Sequence, residues 1–282
     1  MKYKLVADSS ANLLTLDAPF EYASVPLTLN AGDKSFIDDA SLNVKEMVDF
    51  LSSYKGKSGS ACPSVADWLN AFGDADRVIC FTITSGLSGS YNAAYIAKND
   101  YEAEYPDRKV FVLDSLSAGA ELKLHIEKAI ELIQVGMNFD DMCAELSDYA
   151  KNNNELIFCL ESLTNLANNG RVSPLVAKVA GVLGIRVYGR ASEQGQLEQK
   201  DKCRGEKKAL IAVHNYMKEL GYTSGKVRID HCFNEGAALQ LKDMILKDSP
   251  SADIVIAETR GLCSFYAEQG GLMIGFESVK LN

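Results

Sequence analysis

The sequence predicts an α/β protein of two domains, the first an α/β/α layer with a mainly parallel sheet, and three observations predict it. Short runs rich in Val, Ile, Leu and Phe alternate with stretches of helical period. In the first half these runs end in Asp, Ser or Thr where a helix can begin, as when a strand feeds a capped helix. The polar cluster Lys151-Asn152-Asn153-Asn154 then interrupts the periodicity, and a fresh set of strands and helices follows. The break predicts an N-terminal α/β domain over residues 1–154 and a C-terminal α/β domain over 155–282.

In order along the chain, residues 4–7 read as a buried strand closed by Asp8-Ser9-Ser10, and residues 23–29 as a second strand. The hydroxyl cluster from Lys57 to Ser64 reads as a loop that caps a helix over 65–72. A strand at 77–82 runs into a Ser/Gly loop that opens another helix, and a strand at 109–114 ends in Asp114-Ser115. Helical periods follow over 119–135 and 139–152. The second half carries strand patterns at 156–160, 185–188, 226–230, 253–258 and 272–276, and helical patterns at 174–183, 205–219 and 235–247. Ligands of open α/β sheets bind beyond the carboxyl ends of the strands, so the turns after residues 7, 82 and 114 are expected to share one crevice.

Composition narrows the function. A chain of 282 residues with 47% hydrophobic and 24% charged content is that of a folded globular protein. A formal charge of −9 argues against nucleic acid or an anionic membrane surface as a general partner. The start, MKYKLVADSS, lacks a signal-peptide apolar region, and no apolar run approaches a membrane span, which predicts a cytoplasmic protein. The seven cysteines are odd in number and contain no C-x-x-C, so they read as reduced thiols. There is no Walker motif, dinucleotide fingerprint, H-E-x-x-H or calcium loop, so neither a nucleotide or other cofactor nor a metal is expected.

The richest stretch is the strand–loop–helix of residues 78–94. A helix start exposes unpaired N–H groups and the positive end of the macrodipole, which suits an anion. Ser85, Ser88 and Ser90 add hydroxyls, while Gly86 and Gly89 let a ligand approach the backbone. The loop holds no Asp, Glu or His, so it reads as a binder before a catalyst. Gly86-Leu87-Ser88-Gly89-Ser90 is superficially like a G-x-S-x-G nucleophile elbow, although Ser90 stands at the final glycine. An esterase-like reading would need His125, His214 or His231 as base. Three further candidates are Ser60, of interest if it faces the loop at Ser88; Arg171, in the turn Asn169-Gly170-Arg171-Val172-Ser173; and Arg204, just before a helix.

Val6-Ala7-Asp8-Ser9-Ser10, Val25-Pro26-Leu27, Ser60-Ala61-Cys62-Pro63-Ser64, the run from Ile83 to Ala94, Val112-Leu113-Asp114-Ser115 and Asn169-Gly170-Arg171-Val172-Ser173 span nearly the whole chain. In this ordered set the chain resembles the DegV family of bacterial fatty-acid-binding proteins. The resemblance implies two α/β domains with a single long-chain fatty acid held between them. It implies that the carboxylate meets the hydroxyl of a T-S-x-P-S motif, here Ser60, and the serine of an L-S-G-T/S motif, here Ser88, with the Gly89 and Ser90 amides adjacent. It also implies a partner, a separate fatty acid kinase of the dihydroxyacetone-kinase type, which phosphorylates the presented carboxyl for phospholipid synthesis. Arg171 and Arg204 match arginines near the carboxyl end of the pocket or on the kinase-facing surface.

The chain departs from the family pattern at three points. Ser60 replaces the usual Thr, Tyr266 stands where the family has the His of H-x-G-P-G, and Glu268 is expected to bring negative charge near the anion site. A tyrosine hydrogen-bonds but supplies no imidazolium near neutral pH. These changes keep open a carrier or sensor of an amphipathic acid without kinase coupling, beside the esterase-like reading.

Overall fold

The computed structural model describes residues 2–173 and 184–279, and alternation within the first apolar runs sets its layers. β1 (Tyr3–Asp8), β2 (Glu21–Val25), β6 (Arg77–Thr82) and β7 (Lys109–Asp114) form a wholly parallel sheet in the order β2-β1-β6-β7. Leu5, Ala7, Ile79 and Phe81 point to one face and pack against Leu122 and Ile126 of α4 (Ala120–Gln134) and Met142 and Leu146 of α5 (Phe139–Asn152). Val6, Val78 and Cys80 point to the other, against Trp68 and Phe72 of α2 (Val65–Phe72) and Ala94 and Ala97 of α3 (Ser90–Glu104). Both faces are covered, as a parallel sheet requires. At the start of α2, Ser64 and Asp67 form a reciprocal capping box.

The strand expected over 23–29 is in fact two strands in different sheets. Pro26 has no N–H for a ladder, and the Leu27 N–H donates to Ser9 Oγ at 3.1 Å, so the chain turns away from β1 at that point. It continues as β3 (Thr28–Ala31), flanked by β4 (Lys34–Ile37) and β5 (Ser58–Ala61) in an antiparallel sheet of order β4-β3-β5. The hydroxyl cluster expected as a loop is therefore partly strand, with Ser60 opposite Leu29. Between β4 and β5 runs α1 (Val44–Ser53), capped by Asn43.

The second half forms a six-stranded sheet of order β10-β9-β8-β13-β11-β12. It comprises β8 (Asn154–Leu160), β9 (Ile185–Ala191), β10 (Leu197–Arg204), β11 (Lys226–His231), β12 (Asp253–Glu258) and β13 (Leu272–Glu277), and only the β11–β12 pair is parallel. β10 was not expected: its sequence is mostly charged and exposed, as befits an edge strand. α6 (Thr164–Asn168) follows β8, and the helix expected over 174–183 lies outside the described residues. α7 (Glu206–Glu219) and α8 (Glu235–Asp248) cover the face bearing Ile157, Cys159, Val227 and Ile274. The opposite face, with Leu156, Phe158, Leu160 and Met273, looks toward α4 and α9 (Gly261–Ala267).

α4 thus serves both sheets. Its start lies so close to β13 that a Cβ on Gly275 would sit 2.5 Å from the Glu121 nitrogen. Lys123 of α4 pairs with Asp230 of β11 at 2.5 Å, both buried, and Asn12 Nδ2 donates to the same carboxylate at 2.7 Å. All seven cysteines are free, and no helix among the described residues is long and apolar enough to cross a membrane.

Candidate functional site

A buried carboxylate at the end of β1 organises the site. Asp8 accepts the Ser10 N–H and hydroxyl at 3.2 and 2.5 Å, the Ile83 N–H at 2.9 Å and the Ser90 hydroxyl at 2.6 Å. Burial pushes its pKa up, while these donors work against that rise. The carboxylate therefore ties the loop after β6 to the end of β1. The Ser90 side chain is fully buried and spent on Asp8, so its hydroxyl is not at the cavity surface.

Ser88 lies one turn earlier in that loop. Its Oγ accepts the Ser90 N–H at 3.3 Å and keeps its own proton free among the described residues. Gly89 caps α3 and is exposed, within reach of Cys62. Ser85 is exposed too, and its N–H donates to Asp114 Oδ1 at 3.0 Å. Thr84 accepts the Gly86 N–H at 3.0 Å, and the turn between β9 and β10 roofs it so tightly that a Cβ on Gly195 would lie 1.9 Å from the Thr84 hydroxyl.

Beneath the loop runs a cavity between the two larger sheets. Leu27, Ile83, Phe158, Leu160, Leu197 and Leu262 build its apolar walls. Its polar side chains form two groups, Thr84, Ser117 and Gln196 near the turn between β9 and β10, and a second set around Ser60. Ser60 Oγ and Tyr266 OH are 2.8 Å apart there, although 206 residues separate them in sequence. Ser88 and Arg171 line the same cavity, and Arg171 holds the loop in place by donating to the Leu87 carbonyl at 3.2 Å and to the Asn169 carbonyl. The fold therefore brings Ser60, Ser88, Arg171 and Tyr266 to one lining. Such a lining suits an amphipathic acid, with hydroxyls and a guanidinium at its head and hydrocarbon along its length.

Other sequence expectations fall elsewhere. Arg204 is exposed at the end of β10 and does not line the cavity. Glu268 does not line the cavity: it accepts the Asn165 N–H at 2.9 Å at the start of α6 and borders a separate polar recess with Glu161, Ser162 and Lys55. Burial pushes its pKa up. None of the three histidines lines the cavity. His125 bonds Asn154 at 2.9 Å and is driven down to about 4 by burial, His214 lies 3.6 Å from Asp248, and His231 Nδ1 accepts the Asn234 N–H at 3.3 Å. Sequence reasoning missed Asp38, which is buried and accepts the Gly261 and Leu262 N–H groups, each at 2.8 Å, at the start of the helix that carries Tyr266. Its signal was an acidic residue in an otherwise ordinary Asp38-Asp39 turn, which no local pattern distinguishes.

Residues 2–278 match the model of a family described as uncharacterised DegV proteins. A DegV domain-containing protein of Streptococcus pneumoniae is 42% identical over 280 residues, covering 98% of this chain and 99% of the relative. Among solved structures, the Streptococcus pneumoniae Fatty Acid Kinase (Fak) B3 protein loaded with linoleic acid matches at a TM-score of 0.96. It is 42% identical, and the match covers 99% of this chain and all of that one. A DegV family protein of Eubacterium eligens loaded with heptadecanoic acid matches at 0.95 with 40% identity, over 98% of this chain and 99% of that one.

Proposed function

The chain belongs to the DegV family, and on that premise we propose that it holds one long-chain fatty acid in the cavity and presents its carboxylate to a separate fatty acid kinase. The observation that carries the proposal is the convergence of Ser60, Tyr266, Ser88 and Arg171 on the lining of a cavity whose walls are mostly apolar. Two relatives of known structure, 40% and 42% identical, carry fatty acids, which supports the same ligand here.

The energetics fit a tail that supplies affinity and a head that supplies orientation. Burying about fourteen methylenes contributes on the order of 11 kcal/mol at roughly 0.8 kcal/mol each, before the cost of association. An unpaired buried carboxylate would cost several kcal/mol. The free Ser88 proton, one proton from the Ser60–Tyr266 pair and the positive charge of Arg171 offset that cost. The exposed Gly89 amide region lies beside them at the α3 start.

In this reading the protein does no covalent chemistry itself. A carboxylate oxygen, fixed at the mouth, attacks the γ-phosphorus of a nucleoside triphosphate held by the kinase; the bond from that phosphorus to the β,γ-bridging oxygen breaks, and an acyl phosphate and a nucleoside diphosphate result. Arg204, exposed and away from the cavity, is then assigned to the kinase-facing surface, and residues 1–154 and 155–282 to the two domains between which the acid lies. The position of the three histidines outside the cavity speaks against the esterase-like alternative, because among the described residues no histidine lines the cavity with Ser88 to act as its base. A carrier without kinase coupling is separated by reconstitution: binding without phosphorylation favours the carrier. The direct test is mass spectrometry of protein purified from lipid-replete cells and extracted under denaturing conditions. A released fatty acid in molar proportion to protein is expected; its repeated absence would refute the proposal.

A further inference from the structure

Resting on the fatty-acid reading, we infer that Met273 forms the adjustable end of the acyl slot and so sets which chain lengths fit. The direction of the slot follows from β8. Leu160, Phe158 and Leu156 alternate onto its wall, so the row spans roughly 13 Å at 3.3 Å per residue. Its Leu160 end leads into α6 and Arg171, beside Tyr266, which makes that end the head. Leu156 marks the opposite end, where it pairs with Gly275 and the start of α4 is pressed against the strand.

Met273 faces Phe158 across the β8–β13 pair, and its side chain packs with Leu156 and Ala120 toward that far end. A Cβ on Gly119 would lie 2.7 Å from Met273 Cε and 2.9 Å from Sδ, so the side chain lies across the entry to α4. The rest of this wall is small: Ala118, Ala120, Ala191 and Cys263 pack around Met273 and Leu156. Gly119 has a φ of +63° and cannot readily grow a side chain to replace the thioether. An unbranched side chain with three rotatable bonds, set among methyl-sized neighbours, can fold back before a longer tail or extend behind a shorter one. Deleting it leaves a void in line with the slot.

The test is competitive binding of saturated fatty acids of graded length to the delipidated full chain. Met273→Ala removes three heavy atoms and is expected to move the preferred length about two carbons longer. Met273→Phe is expected to move it shorter by a similar amount, and Met273→Leu to leave it near that of the parent. Ala118→Val, which narrows the same wall from another side, also moves it shorter and stands in if a Met273 variant folds poorly. A length preference unchanged in all these variants overturns the inference while leaving fatty-acid binding intact. Failure of the parent itself to bind any acid overturns the reading on which the inference rests.

Discussion

Tyr266→Phe is the most discriminating change at the head of the slot. It removes one oxygen and leaves the ring, so the edge-on contact with Phe265, at 4.7 Å between centroids, is retained. What is lost is the 2.8 Å bond to Ser60 Oγ. Two hydroxyls in mutual contact share one proton between them and leave the other to donate outward. If that outward proton meets the carboxylate, losing either partner costs about 1.5–3 kcal/mol, the range for a hydrogen bond to a charged group. At about 1.4 kcal/mol per decade, the dissociation constant for a saturated fatty acid rises about 10- to 150-fold. Ser60→Ala should weaken binding in the same range, and the double variant should fall short of the sum by about 1 kcal/mol or more, because both singles break one unit. Calorimetric titration of delipidated protein with each variant, beside a thermal melt to exclude unfolding, gives the four corners of the cycle. A Tyr266→Phe affinity within twofold of the parent refutes the reasoning, as do single effects that simply add.

Ser88→Ala, measured by the same titration, should weaken binding by about 1–3 kcal/mol, and unchanged affinity would remove Ser88 from the site. Asp38→Ala strands the buried Gly261 and Leu262 N–H groups, so it should lower unfolding stability in urea by about 2–4 kcal/mol; Asp38→Asn, which keeps one acceptor, should cost less. His125 is neutral in the fold because burial drives it down to about 4, whereas the unfolded side chain titrates near the ordinary 6.5. Its contribution is therefore whole above about pH 6.5 and is lost as pH falls toward 4, by about 3 kcal/mol in all. Urea melts of the parent and His125→Gln at pH 7 and pH 5 isolate that share: the parent should lose more stability than the variant, and equal losses would rule it out.

How much of this was legible in the sequence depended on the range of the cause. The strands at β6 and β7 and the loop after Thr82 are local, because apolar runs followed by Ser and Gly turns leave a pattern in a few residues. The broken strand at Pro26 was legible in principle, since a proline marks the break, but the apolar run through Leu29 hid it. β10 was illegible because an edge strand with exposed charges has no apolar alternation to display. Contacts between distant residues carry no local signal at all. The Ser60–Tyr266 pair, the use of the Ser90 hydroxyl by Asp8 and the turn of Glu268 toward α6 all depend on how separate elements dock. Family resemblance pointed to Ser60 and Ser88 as residues of interest, but only the docking of β5, α9 and the loop at Ser88 puts them on one lining.

The position of α4 bears on how such a protein could be recombined. Its apolar stripe belongs to the parallel sheet, its first turn is fitted to Gly275, and Lys123 is neutralised by Asp230, which follows it by 107 residues. A chimera that takes residues 1–154 from one relative and the remainder from another would cut β8 only after its first residue, Asn154, yet it would separate α4 from the glycine and the carboxylate that receive it. An unmatched partner would leave Lys123 buried without a counter-charge, a loss of about 3–5 kcal/mol and thus a large part of the stability of an ordinary domain. The halves can therefore be exchanged between lineages only if Gly275 and Asp230 travel with the helix they accommodate.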